Sequence, residues 1–253
     1  MNLDHWTAFP AGILIASFAS AIGIGGGILW MPFFLIALNI SPEKAVLSSL
    51  LIQAAGMGSS SVAFLKQKRV DVKLGIFLMA VTVPGVLGGA YIATRLKPSH
   101  LEVILGLIAM TTAFLFVSSN QKYDDKGMEK IEIRKAYRYS WIISLLSMIS
   151  GLLSVSIGEW LVPILKTRLS MTMSRAIATS IFVIFGTCII GVSSHLILGG
   201  KAEISAVLWG VPGVMIGGQI GPRIIRRINE RILKEMFVFV LTLFGIHLIY
   251  NSF

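Results

Sequence analysis

The sequence predicts an all-α polytopic membrane protein built as two inverted repeats, each a broken re-entrant helical hairpin followed by three transmembrane helices. Three observations carry that expectation. The chain is 55% hydrophobic and 13% charged over 253 residues, with a mean hydropathy of +0.82, whereas a soluble domain carries roughly 25% charged residues. Apolar runs near twenty residues recur at 45–65, 74–94, 101–118, 176–198, 202–220 and 233–250, each long enough for a hydrocarbon core of ~30 Å. Two matched segments are interrupted by small residues and a proline. The first reads Gly23-Ile-Gly-Gly-Gly-Ile-Leu-Trp-Met-Pro32 and the second Ser154-Val-Ser-Ile-Gly-Glu-Trp-Leu-Val-Pro163, 131 residues further on.

The elements follow in order. Each half opens with its broken segment and continues with three unbroken spans. The polar stretch 120–137 separates a first transmembrane repeat, 1–119, from a second, 138–253, and is expected in the cytoplasm. Lys44-Ala45 matches Arg175-Ala176 at the same offset of 131, and Pro84-Gly85-x3-Gly89-x5-Arg95 matches Pro212-Gly213-x3-Gly217-x5-Arg223 at 128. Shared motifs in a shared order indicate an internal duplication. The N-terminus, Met1-Asn-Leu-Asp-His-Trp6, lacks a basic leader region, so the first hydrophobic segment is expected to be retained.

Loop charge decides how the broken segments are threaded. If each crosses the membrane once, the chain has eight full spans in parallel halves, and the 22 Lys and Arg divide 11 to 11 between the two sides. If each turns back on itself, six spans remain, the halves are inverted, and the division becomes 18 to 4. The positive-inside rule expects the second. Residues 28–38 also make only ~17 Å of helix, too short to cross. Both termini then lie outside the cytoplasm. The net charge of +10 resides in loops that meet anionic headgroups, so the lipid bilayer, and not nucleic acid, is its expected partner.

Paired broken helices in two repeats point to a transporter's binding site. Backbone freed at membrane depth is tolerable only when it lines a protein-enclosed or watery cavity. Gly23, Gly25, Gly26 and Gly27 expose N–H groups, and the half-helix from Ile28 directs its positive end at them, a combination that suits an anion. Close helix packing is the bland use of the same glycines. In the second break Ser154, Ser156 and Gly158 take these places. Glu159 follows as the most anomalous residue, because an ionisable group at membrane depth is costly and functional by default; it is the candidate proton-coupling group, against the alternative of a shallow, solvated carboxylate. Ser48, Ser49 and Gln53, with Thr179 and Ser180 in the second half, are further substrate-binding candidates. An interhelical hydrogen bond is the competing role of Gln53.

Asn39 and Gln219 are weaker polar candidates. The Pro84 and Pro212 motifs read as close helix packing. Lys44, Arg95, Arg175 and Arg223 sit at helix ends, where gate or vestibule roles compete with capping of last-turn carbonyls. Cys188 has no second cysteine to pair with and reads as packing. His5, His100, His195 and His247 show no ligand spacing, so no metal site is expected.

Taken in order, these features resemble the TauE/SafE family of sulfite exporters and related anion permeases. The matching elements are the glycine-rich break ending at Pro32, the stretch Ala45-Val-Leu-Ser-Ser49 with its repeat Ala176-Ile-Ala-Thr-Ser180, and the glycine-rich segment 84–95. The resemblance covers nearly the whole chain. It implies transport of sulfite, thiosulfate, sulfonates or related small organic anions across the plasma (inner) membrane, without a bound cofactor. The second break departs from the family's pattern, since Ser154-Val-Ser-Ile-Gly158 and Glu159 stand where glycines are usual. The expected function is thus a secondary transporter alternating access to a midplane anion site, coupled to protons. An anion channel is the alternative, and an intramembrane enzyme a weaker one, because no nucleophile and base are set at dyad spacing. Oligomeric state leaves no mark in the sequence.

Overall fold

The computed structural model describes residues 5–118 and 127–224, together with 242, 243, 246 and 250. The expected span at 233–250 and the first part of the linker therefore lie outside the described residues, as does His247, apart from the four isolated positions. The described elements are α-helical, with one isolated β-bridge between Met128 and Met171.

Helix α1 spans Ala8–Ile22 and ends at Gly23, whose φ of 81° and N–H to the Ala19 carbonyl close the helix with a left-handed cap. After the break, α2 (Gly27–Pro32) runs into a π-helical turn, Phe33–Ala37. The long helices α3 (Pro42–Lys66) and α4 (Val72–Ala93) and the helix α5 (Pro98–Ser118) complete the first half. A short α6 (Ile133–Tyr137) leads into α7 (Ser140–Leu153), which ends at Ser154 with φ 60°. Then come α8 (Gly158–Pro163) with its π-helical turn Ile164–Arg168, α9 (Met173–Ile197) and α10 (Ile204–Ile224). Four of these, α3, α4, α9 and α10, are long and apolar enough to cross a membrane. Side chains such as Leu14, Phe114 and Ile197 are 69–84% exposed on the outer surface, as lipid-facing positions require.

The backbone repeats at an offset of 131. Both short helices, both π-helical turns and both long helices α3 and α9 begin and end in step. The left-handed residues also pair: Gly23 with Ser154, Asn39 with Ser170, and Lys68 with Gly199. Pro42 and Met173 each start a long helix after an extended residue, Ser41 or Thr172. For Pro42 this is the preferred first position, since its missing N–H costs nothing there.

Contacts between the halves come in reciprocal pairs, the signature of a two-fold relation. Helix α1 packs along α10, while α7, the repeat of α1, packs along α4, the repeat of α10. These close approaches rest on glycine. A Cβ at Gly85 would lie 1.9 Å from the Ser144 carbonyl oxygen and one at Gly89 2.0 Å from that of Met148; one at Gly213 would lie 2.2 Å from that of Phe9. The packing role read from the two Pro-Gly motifs is thus a backbone-to-backbone contact.

The same contacts give helix directions. Gly58 meets Phe185 and Gly191 meets Leu50, while Ser61 donates to the Ile181 carbonyl. Residue numbers therefore rise along α3 as they fall along α9, and the two repeats of one helix run antiparallel. Gly12 meets Gly210 and Gly221 meets Ser17, and Gly210 meets Ile52 while Gly218 meets Ser60. Hence α1, α3 and α10 are parallel. A chain that runs up α1 and again up α3 must come back in between, and the segment 23–41 makes that return.

Candidate functional site

The two breaks meet face to face at the centre of this two-fold arrangement. Gly25 donates its N–H to Ser156 Oγ at 2.8 Å, and these two residues are themselves repeats of one another. Around them the contacts are reciprocal. A Cβ on Gly27 would lie 1.8 Å from the Ser154 carbonyl oxygen, and one on Gly158 2.7 Å from that of Gly23. Ser156 Oγ also accepts the Gly158 N–H at 2.9 Å, so one hydroxyl closes both breaks. Gly26 caps α2 against Trp30 and Ile15, and Ile28 is fully buried.

Helix α3 contributes Gln53, 1% exposed. Its Nε2 donates toward the Ser49 carbonyl and Oγ at 3.3 and 3.0 Å and toward the Ser154 carbonyl and Oγ at 3.0 and 2.7 Å. Carbonyl oxygens only accept, so they fix which way the amide faces. Gln53 Oε1 is consequently turned to Gly25, 3.1 Å from where its Cβ would be, and has no hydrogen-bond partner. The interhelical hydrogen bond weighed for Gln53 from the sequence is present, and the other end of the same amide is free. Helix α9 supplies Ser180, whose hydroxyl donates to the Gly23 carbonyl at 3.2 Å.

Glu159 stands in the first turn of α8 and is 4% exposed. Its carboxyl faces the Ser156 hydroxyl without a hydrogen bond of normal geometry, and both its oxygens are unpartnered. It is buried within the protein and not solvated. Among the described residues no Lys or Arg is buried; the buried groups able to carry charge are Asp71, Glu159, His195 and the Cys188 thiol. His195 shares a hydrogen bond of 2.7 Å with the Gly151 carbonyl, joining α9 to α7.

Ser48 and Thr179 sit away from the breaks, because neighbours on a helix point about 100° apart. Ser48 Oγ accepts the Glu203 N–H at 2.8 Å and donates to the Lys44 carbonyl. Its repeat, Thr179, accepts the Asp71 N–H at 3.1 Å. Each hydroxyl ties the loop before a long helix of the opposite half. Ion pairs lie beside both ties: Lys44 to Glu203 at 3.1 Å and Arg175 to Glu129 at 2.9 Å. Lys44 donates to the Glu203 carboxylate and holds its pKa below the usual carboxylate range, with Ser205 and His5 assisting. Asp71 accepts from Leu74 N–H and from Ile131 N–H, pinning the linker.

Asp71, Glu129 and Glu203 were not singled out from the sequence. The signal was available: Asp71 and Glu203 are acids placed 132 apart, just before repeated helices. Arg95 stacks on Tyr91, 5.3 Å from its ring centroid, and donates to its hydroxyl, while Arg223 donates to the Gln219 carbonyl. Both are engaged on their own helices. Gln219 donates to Ser59, holding α10 on α3. Asn39 is a left-handed residue in the connection to α3. No cluster of His, Cys, Asp or Glu that could hold a metal occurs among the described residues.

Long apolar helices, lipid-facing surfaces and two helix breaks meeting in the protein interior define a multi-pass membrane transporter. The profile of the family described as "Sulfite exporter TauE/SafE" matches residues 8–248. The chain belongs to that family. It is 28% identical to the probable membrane transporter protein YunE of Bacillus subtilis, over 95% of this chain and 96% of that one. It is 24% identical to the probable membrane transporter protein YfcA of Escherichia coli K12, over 94% and 87%. A probable membrane transporter protein, ORF9, of Sinorhizobium is also 24% identical, over 97% and 93%. No solved structure matches the chain.

Proposed function

We propose that this transporter moves sulfite, or a related sulfur-containing or organic anion, across the plasma membrane by alternating access between two inverted halves. The observation that carries the proposal is the meeting of the two breaks on a two-fold relation between antiparallel α3 and α9. If both helices span the membrane, a two-fold axis between antiparallel spans lies in the membrane plane, the geometry of inverted repeats. The parallel course of α1 and α3 supports a re-entrant hairpin at each break. Charge agrees: Lys44 and Glu203 mark one side, and Arg175 with the linker the other.

In the state described here the breaks are closed on each other, with the Gly25 N–H spent on Ser156. Parting them releases that donor, together with the N–H groups at the start of α2, to an anion. Glu159 is the proton carrier in this reading, a carboxyl in the same region with no buried Lys or Arg to pair with among the described residues. The test is sulfite counterflow in proteoliposomes across a pH series. Saturable exchange is expected from the wild type, with a pH dependence that Glu159→Gln abolishes. Unitary currents in place of saturable exchange would make the protein a channel, and an unchanged pH profile in the variant would remove Glu159 from the coupling.

A further inference from the structure

The amide of Gln53 and the carboxyl of Glu159 are the polar groups at the breaks that the closed structure leaves unfinished. Gln53 Oε1 and both Glu159 oxygens are buried without a partner, although a buried acceptor without a donor is among the costlier defects a protein interior can hold. Neither group is needed to fill its place. The repeat of Gln53 is Ile184, whose Cδ1 lies 2.7 Å from the Cβ position of Gly158, much as Gln53 Nε2 lies 2.9 Å from that of Gly27. The repeat of Glu159 is Ile28, fully buried. An isoleucine thus packs against the equivalent backbone in the other half, where Ser180 serves the Gly23 carbonyl instead. The amide's donor end has four acceptors around it, which presents Oε1 toward Gly25 in a fixed direction.

Two requirements on a ligand follow. With no Lys or Arg buried among the described residues, a second negative charge would be met by backbone dipoles alone, and beside Glu159. A single charge suits such a site far better. The unpartnered acceptor in turn asks for a hydrogen-bond donor on the ligand. We propose that the site selects a singly charged oxyanion that carries one O–H or N–H donor, and that Gln53 Oε1 reads that donor. Sulfite-type oxyanions would then be taken in their monoprotonated form. This rests on the reading of the breaks as the anion site.

The test uses 2-hydroxyethanesulfonate and propane-1-sulfonate, two monoanions of similar length that differ in one hydroxyl donor and do not titrate near neutral pH. Binding to the purified protein in nanodiscs is measured by calorimetry, with no need for flux. The hydroxyl compound is expected to bind about tenfold or more tightly, because a site built around a hydrogen bond rejects a ligand lacking it. Gln53→Met is expected to bring the ratio of the two affinities to about one, whatever the variant does to each affinity alone. Should that variant fail to fold, sulfite binding by the wild type gives a second measurement. Its affinity should rise as pH falls through the titration of sulfite to hydrogen sulfite, against a propane-1-sulfonate control that corrects for the protein's own titration. Equal binding of the two sulfonates, or a sulfite affinity that tracks the dianion, overturns the inference and leaves the anion site standing. Binding of none of the three overturns the anion site itself.

Discussion

Two glycines that are repeats of each other should tolerate a methyl group very differently. At Gly27 an added Cβ would lie 1.8 Å from the Ser154 carbonyl oxygen and 2.9 Å from Gln53 Nε2. Since a carbon rests at about 3.3 Å from a carbonyl oxygen, the breaks must part by about 1.5 Å to admit it. At Gly158 the corresponding oxygen, that of Gly23, is 2.7 Å away, so a shift of about 0.6 Å is enough. Overpacking a tight interior costs about 1–3 kcal/mol. Both clashes are with backbone, and the one at Gly27 is much the deeper, so Gly27→Ala belongs at or beyond the top of that range and Gly158→Ala near the bottom. For a chain of this size, thermal unfolding in detergent should then fall by roughly 6–12 °C for Gly27→Ala and roughly 2–4 °C for Gly158→Ala. Gly88→Ala is the control: it has only Met148 Sδ at 3.9 Å and should be neutral or slightly stabilising. A Gly27→Ala protein as stable as wild type, or one less damaged than Gly158→Ala, would refute the interlocked contact.

Ser154 adopts a left-handed conformation at φ 60°, which costs an L-residue about 1 kcal/mol. Ser154→Gly should therefore be more stable than Ser154→Ala by about that amount, since both lose the hydroxyl and only glycine is relieved; equal melting temperatures would contradict the cap. The Lys44–Glu203 pair should be pH-sensitive in a definite direction. Because Lys44 lowers the folded pKa of Glu203, its contribution is present above the unfolded carboxylate value and is lost as pH falls through the folded one. The stability gap between wild type and Glu203→Gln should accordingly close in acid and also shrink in high salt. A gap unchanged across the acid range would show that the pair holds nothing. The Glu159→Gln flux profile and the Gln53 donor preference complete the set.

The sequence carried the architecture well because its strongest signals were covalent and periodic. Gly23 and Pro32 announce a broken helix through backbone freedom and a missing N–H, and the offset of 131 survives in sequence because the repeated turns need the same residue types. Finer contacts were less legible. Ser48 and Ser49 are adjacent, yet one ties a loop and the other holds Gln53; periodicity alone does not say which face of α3 meets the break. Glu203 and Asp71 looked like ordinary loop acids because the tertiary partners of their carboxylates, Lys44 and the Ile131 N–H, are 159 and 60 residues away. The contact between the breaks was expected as a frame around a site. Its closure by Ser156 depends on tertiary placement, for which serine has no local signature.

Comparing repeats separates scaffold from chemistry in a way that burial does not. Ser48 and Thr179 are both fully buried hydroxyls, and each accepts a loop N–H from the opposite half; a shared job explains a shared residue type. Gly23 and Ser154 likewise both end a helix in the left-handed region. Gln53 and Glu159 are as buried as these, but their repeats, Ile184 and Ile28, are apolar and fit the same backbone. The other half fills those two places with apolar side chains, so Gln53 Oε1 and the Glu159 oxygens, which have no partner, are polarity that packing alone does not call for. A group whose polarity the fold does not need, and whose hydrogen bonds the closed state does not complete, has its partner in another state or another molecule. On that ground we propose that Gln53 and Glu159, the two groups left unfinished at the breaks, are where function is centred.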